Sequence, residues 1–167
     1  AHFTVLDNSR TTDLSPAQLE FLEKDLKEHQ DRRPKFVFFH KPYWILPLKF
    51  QSSEFVLHRL ARQYDVGYVI SGHGHQFVRM ERDGIVYMEV GSSGGTMRRG
   101  LIRGEGFREG WFYHHVWARV KGSKVSFTVK EIDGPRGKGR MFRAEEWGEQ
   151  RPLFEIEDPA MIDKPET

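Results

Sequence analysis

Three of the chain's eight histidines stand where their ring nitrogens can meet. His40 closes the apolar run Phe36-Val37-Phe38-Phe39, and His73 and His75 follow the apolar run Val66-Gly67-Tyr68-Val69-Ile70. Imidazole is the commonest protein ligand for transition metals, so three that converge would make a metal site. Along an extended chain, residues two apart point the same way, which would aim His73 and His75 into one pocket. Gly72 and Gly74 flank His73, let the backbone take conformations that other residues resist, and let the chain pass close to a ligand. For this pair alone, two turn histidines bonded to backbone and solvent are the plainer alternative. His40 shifts the balance. Pro42 lacks the amide hydrogen a central strand needs, so the strand should stop near Lys41-Pro42 with His40 at its tip. Burying that imidazole unpaired in a core would cost roughly 1 to 3 kcal/mol.

The elements around these residues say how they would be held. Short apolar runs, each preceded by a helix-like stretch, read as neighbouring strands of a parallel sheet. Ligands of open α/β sheets bind beyond the carboxyl ends of such strands, where all three imidazoles would emerge. The first strand is expected over His2 to Leu6. A helix should follow from Ser15, a cap, and Pro16, tolerated in the first turn, to about His29, with Leu19, Leu22 and Leu26 as its apolar stripe. Strands are expected at Lys35 to Phe39 and Val66 to Ile70. Tyr43 to Gln51 reads as a packed loop, and a helix capped by Ser53 should turn Phe55, Val56, Leu60 and Tyr64 inward. His58 in that helix reads as structural.

From Gln76 onward the period changes from helical to alternating. Gln76 to Glu81 and Ile85 to Val90 flank Asp83-Gly84, a strong hairpin signal. A second hairpin pairs Trp111 to Val120 with Lys124 to Ile132. His114 and His115 are adjacent strand positions, so at most one can face a given pocket, and His2 and His29 have no motif around them. The expected class is α/β: a mixed β-sheet or β-sandwich flanked by helices. Residues 1–167 read as a single domain, irregular from about residue 134.

Composition sets outer limits. The 167 residues are 38% hydrophobic, 13% aromatic and 30% charged, which is globular rather than disordered. Cysteine is absent, excluding disulfides and thiolate ligands. No apolar run approaches the roughly 20 residues of a bilayer span, so no membrane partner is expected. A net charge of +2 suits an anionic substrate but does not by itself imply nucleic acid.

With these motifs the chain resembles the calcineurin-like metallophosphoesterases. Phe36-Val37-Phe38-Phe39-His40-Lys41-Pro42 matches the isolated-histidine motif, and Gly72-His73-Gly74-His75 matches the Gly-His-x-His motif. Softer matches are Leu6-Asp7, the Gln18 to Leu22 helix and Gly91-Ser92-Ser93-Gly94-Gly95 after a hairpin. The resemblance spans roughly residues 1 to 132. It implies the C-terminal half of a four-layer metallophosphoesterase fold and a phosphate-ester substrate. It also implies two divalent metal ions (Fe, Mn or Zn), with His40 and His73 on one and His75 on the other. The family's Asp-x-His, Gly-Asp and Gly-Asn-His-Asp/Glu motifs come earlier in its members and have no counterpart here. The expectation is a site completed by an N-terminal half or a partner chain, no catalytic residue of its own, and no appreciable phosphatase activity alone.

Two other signals compete. Gly91-Ser92-Ser93-Gly94-Gly95 fits the Gly-x-Ser-x-Gly elbow of serine hydrolases, but that chemistry needs a helix directly after the serine, and a glycine-broken stretch follows. Arg98, Arg99, Arg103 and Arg108 could contact substrate phosphate or nucleic acid, or form a solvated loop. A non-catalytic module that binds a phosphate-bearing or nucleic-acid partner through those arginines is the reading from a different class. Arg136-Gly137-Lys138-Gly139-Arg140 carries the same ambiguity.

Overall fold

Alternating apolar segments and one strongly periodic helix build three stacked layers. The computed structural model describes residues 1–52, 54–91, 94–95, 102–103, 107, 110–132, 138–148 and 155–156. The central layer is a five-stranded sheet made of β1 (His2–Val5), β2 (Lys35–Phe38), β3 (Tyr68–Ser71), β4 (Val78–Arg82) and β5 (Ile85–Glu89). Its order is β1-β2-β3-β5-β4; the first three contacts are parallel, and β4 runs antiparallel to β5. A parallel neighbour needs a crossover, which α1 (Pro16–Glu28) supplies between β1 and β2, and α2 (Ile45–Lys49) with α3 (Val56–Gln63) between β2 and β3.

One face of this sheet packs on the helices. Leu22 and Leu26 of α1, Leu57 and Ala61 of α3, and Val37, Val69 and Tyr87 of the sheet form one buried cluster with Trp44. The other face packs on a three-stranded antiparallel sheet of β7 (His114–Lys121), β8 (Lys124–Glu131) and β9 (Met141–Arg143). Phe36, Phe77 and Met88 meet Phe112, Phe127, Val129 and Trp147 there, Trp147 coming from the short helix α4 (Glu145–Gly148). A two-stranded ribbon joins β6 (Ile102–Arg103) to β10 (Glu155–Ile156). The result is a mixed α/β structure whose sheets are flanked by helices, as the periodicity predicts. No helix among the described residues is long and apolar enough to cross a membrane.

Local chemistry explains most boundaries. Ser15 is the N-cap of α1, its hydroxyl accepting from the Gln18 amide at 3.4 Å, with Pro16 in the first turn. Replacing Ser15 with Ala should therefore cost about 1 kcal/mol, read as a lower urea midpoint at unchanged m-value. The β4–β5 turn places Asp83 at φ 51° and Gly84 at φ 76°, the backbone that Asp-Gly supplies in two-residue hairpins.

Two expectations fail. The segment read as a packed loop contains α2, because Pro47 falls in the first turn, where its missing amide hydrogen costs nothing. In α3, Val56 is 38% exposed, and the buried side chains are Leu57, His58, Leu60 and Ala61. Phe55, Leu60 and Tyr64 do pack on the core, so the expectation fails only at Val56, where Leu57 and His58 take the inward positions instead. The His58 ring is bonded to the Tyr87 hydroxyl at 2.7 Å and to Asp83 at 3.0 Å, the structural role expected of it. Ser53, expected to cap this helix, lies outside the described residues, and the N-cap position is taken by Phe55 with no side-chain cap bond.

Candidate metal centre

The carboxyl ends of β1, β2 and β3 lie side by side, and their connections are tied together before any ligand is considered. Phe39 donates its amide to the Ile70 carbonyl at 3.2 Å, and Gly72 donates to the His40 carbonyl at 2.9 Å. Asn8, 1% exposed, locks the end of β1 onto the same corner. Its Oδ1 accepts from the Lys41 amide at 2.8 Å, and its Nδ2 donates to the Lys41 and Thr12 carbonyls at 2.9 and 3.0 Å. Every polar atom of that side chain is used in positioning the backbone beside His40.

On this corner His40 and His73 meet. His73 Nδ1 and His40 Nε2 are 3.1 Å apart, one donating to the other, and the rings cross at 78° with centroids 4.9 Å apart. Two nitrogens bound to one ion at roughly 2.0 to 2.1 Å stand about 3 to 3.4 Å apart in cis octahedral or tetrahedral geometry. The observed separation is within that range, and the pair could take one divalent ion once the shared proton leaves and the rings rotate so that both lone pairs converge.

His75 stands apart from that pair. Among the described residues, no nitrogen of His75 lies within 4.8 Å of both His40 and His73 donor atoms. Its ring lies against Gly95, where an added Cβ would come within 2.6 Å of it, and its backbone lies against Gly91. The extended-chain argument for His73 and His75 does not describe this loop. Both residues take left-handed φ values, 79° and 59°, so the loop turns sharply instead of running straight.

Two buried groups support the turn from beneath. Glu89, at the end of β5, is 1% exposed and accepts from the Gly74 and Gln76 amides, while its Oε1 has no partner. Burial pushes its carboxyl up to about 8 despite those two bonds, so it is largely protonated at neutral pH. A Cβ on Gly74 would approach Glu89 Oε1 to 2.3 Å, which explains the glycine between the two histidines. His114, also 1% exposed, accepts from the Gly91 amide at 3.4 Å through Nε2, with Nδ1 2.8 Å from the Phe112 carbonyl as donor. It is the inward-facing member of the His114–His115 pair. Desolvation lowers its pKa and keeps the ring neutral.

Asp7 follows the end of β1. Hydrogen bonds from Ser9 hold its carboxyl below the usual range, with smaller electrostatic contributions from Arg10 and His40. Asp7 belongs to Leu6-Asp7, one of the softer motif matches. Ser92, Ser93, Arg98, Arg99 and Arg108 lie outside the described residues, as does the side chain of Arg103. Trp44, next to the His40 motif, is core: it is fully buried and donates to Ser71 Oγ at 2.8 Å.

A second group of donors forms at the other end of the sheet, where the sequence shows no motif. His2, Asp25 and His29 come together there, with one ligand atom from each residue within 4.8 Å of the others. They are separated by 23 and 4 positions, so only the packing of α1 against β1 reveals them.

No family model matches the chain, and no curated protein matches it. Among solved structures, a single mutant of Vps29 from Entamoeba histolytica is 13% identical over 84% of this chain and 97% of that one, with a TM-score of 0.38. Wild-type Vps29 complexed with zinc, from the same organism, is 12% identical over 85% and 98%, at a TM-score of 0.37. A conserved uncharacterized protein of Streptococcus pneumoniae TIGR4, titled a predicted phosphoesterase, is 14% identical over 84% and 96%, at a TM-score of 0.34. Backbone agreement of this degree leaves the family unassigned.

Proposed function

We propose that this chain is the metal-binding C-terminal part of a calcineurin-like metallophosphoesterase that hydrolyses phosphate esters, with two divalent ions drawn from iron, manganese and zinc. One observation carries the reading: His40 Nε2 and His73 Nδ1 stand 3.1 Å apart at the carboxyl ends of adjacent parallel strands. The motif resemblance and the donor chemistry support the same conclusion. Bound divalent ions supply Lewis acidity toward a phosphoryl oxygen and lower the pKa of a bound water.

The chain's own residues account for the rest. His40 and His73 hold one ion, and His75, set apart by the turn at Gly74, serves the other. Asn8 fixes the His40 backbone, Glu89 and His114 fix the loop that carries His73 and His75, and Asp7 adds negative charge near His40. The remaining ligands come from an N-terminal half or a partner chain. Support for such a partner lies at β1, an edge strand of the five-stranded sheet among the described residues. Its Phe3 and Val5 are 56% and 73% exposed, more apolar surface than an edge usually leaves bare. Joining the chain to that half should create metal-dependent hydrolysis of a generic aryl phosphate; a folded, metal-loaded assembly without turnover refutes the enzyme reading.

In that assembly, replacing Gly95 with Ala should force the His75 ring aside, because the new methyl group overlaps its far end rather than any backbone. Activity should fall at least tenfold while the chain's own melting temperature stays nearly unchanged, and unchanged activity would remove His75 from the site. The alternative, a non-catalytic module gripping a phosphate-bearing or nucleic-acid partner through its arginine-rich loop, predicts salt-sensitive oligonucleotide binding with no turnover.

A further inference from the structure

The amino end of β1 carries a donor cluster that the phosphoesterase reading does not use. His2 and Thr4 share one face of β1, and α1 lays its last turn across that face, bringing Asp25 and the C-cap residue His29 onto them. His2 Nε2 is 2.7 Å from Asp25 Oδ2, and His29 Nδ1 is 3.4 Å from Asp25 Oδ1. The two imidazoles stack with centroids 4.2 Å apart and planes 17° from parallel.

We propose that His2, Asp25 and His29 form a separate binding site for a divalent transition-metal ion of the zinc type. Two imidazoles and one carboxylate are a donor set that zinc, cobalt and nickel take readily and that magnesium and calcium do not. The carboxylate charge offsets half of the ion's, and a first coordination shell of three protein groups leaves a position for water or an external ligand. Ligand atoms bound at roughly 2.0 to 2.2 Å in a tetrahedron stand about 3.3 Å apart. The three donors, all within 4.8 Å of one another, reach that spacing by side-chain rotation.

The surroundings orient the donors as metal ligands usually are. Thr4 Oγ1 donates to Asp25 Oδ2 at 2.6 Å and holds the carboxylate in place. His29 Nδ1, 3.4 Å from Asp25 Oδ1, is the ring nitrogen beside that carboxylate, and an ion bound there would replace its 2.9 Å contact with the Asp25 carbonyl. The carbonyl end of α1 adds partial negative charge beside His29. Burial alone would raise the Asp25 carboxyl, but the bonds from Thr4 and His2 outweigh it and keep the group ionised at neutral pH. The side chains of His2 and Asp25 are 14% and 17% exposed and that of His29 is 41%, which leaves the ion an approach from the His29 side. The site lies at the far end of the strands from His40: His2 pairs with Lys35, five residues before His40, or about 16 Å at 3.3 Å per residue.

The test uses the 167-residue chain with His40, His73 and His75 all replaced by Ala, titrated with zinc alone by calorimetry. One equivalent should bind, and cobalt in its place should give the visible absorption of a four-coordinate ion. Adding His29→Ala or Asp25→Asn should weaken zinc at least tenfold, and the ring nitrogen resonances of His2 and His29 should move on zinc addition in the parent. Loss of all zinc binding in the triple variant overturns the proposal, as does equal affinity after His29→Ala. Because His29 is the most exposed of the three, that variant decides the matter even if Asp25→Asn fails to fold. Failure of the phosphoesterase reading would show separately, as no loss of binding stoichiometry between wild type and the triple variant.

Discussion

Replacing His73 with Ala should reduce the chain's affinity for its first divalent ion by at least 100-fold, and should abolish metal-dependent aryl phosphate hydrolysis in the completed enzyme. The size of the effect follows from geometry. His73 Nδ1 is half of a two-nitrogen clamp with His40 Nε2, and the 3.1 Å separation already matches two positions on one ion. Removing either nitrogen leaves a single imidazole of the pair, and among the described residues no third imidazole or carboxylate closes a group of donors around it. Stability should change little, since His73 sits on an exposed turn rather than in the core. Calorimetric titration with zinc or manganese, alongside a urea melt, separates the two quantities. Retained affinity with an unchanged melt would refute the clamp.

The contribution of Glu89 to stability should fall as pH rises between about 4.5 and 8, so Glu89→Gln should gain on wild type progressively across that range. The native carboxyl titrates near 8 because it is buried, whereas the unfolded one titrates near its ordinary value of 4.5. Over that window the native state binds more protons than the unfolded state, so rising pH favours unfolding. The contribution is fully present below 4.5, declines through neutrality and is lost as pH passes 8. Above that the ionised group must stay buried with an unpartnered Oε1, or the loop from Gly72 to Gln76 must open to hydrate it. Glutamine keeps the shape and never ionises, so the variant should gain on wild type by a few kcal/mol between pH 5 and pH 9. Urea midpoints at pH 5, 7 and 9 check this, and parallel profiles for the two proteins would overturn it.

Local rules carried the reading wherever a residue's effect was confined to its own segment. Ser15 and Pro16 started α1, and Asp83-Gly84 turned the β4–β5 hairpin, whereas β2 closed at Phe38, two residues before His40, so His40 stands past the strand tip and not on it. The readings failed where the deciding neighbour was remote. Asn8 looks like any polar residue after a strand until Lys41, 33 positions on, occupies both ends of its amide. Glu89 ends a strand whose sequence does not show what lies above it, yet the loop from Gly74 to Gln76 folds over its carboxyl and buries it. The cluster of His2, Asp25 and His29 exists only because a helix crosses back over the strand it follows. At the His40–His73 corner one premise was wrong, since an extended backbone at His73 and His75 is not what the chain adopts there.

That backbone has an evolutionary cost. Left-handed φ values at His73 and His75 are disfavoured by roughly 1 kcal/mol or more per residue relative to glycine, which takes them freely. Selection for heat resistance alone would drift toward glycine at both positions and gain thermal robustness while discarding the donors. On the proposed function, histidine at these two sites exchanges durability for chemistry, and a library screened only by melting would erase it first.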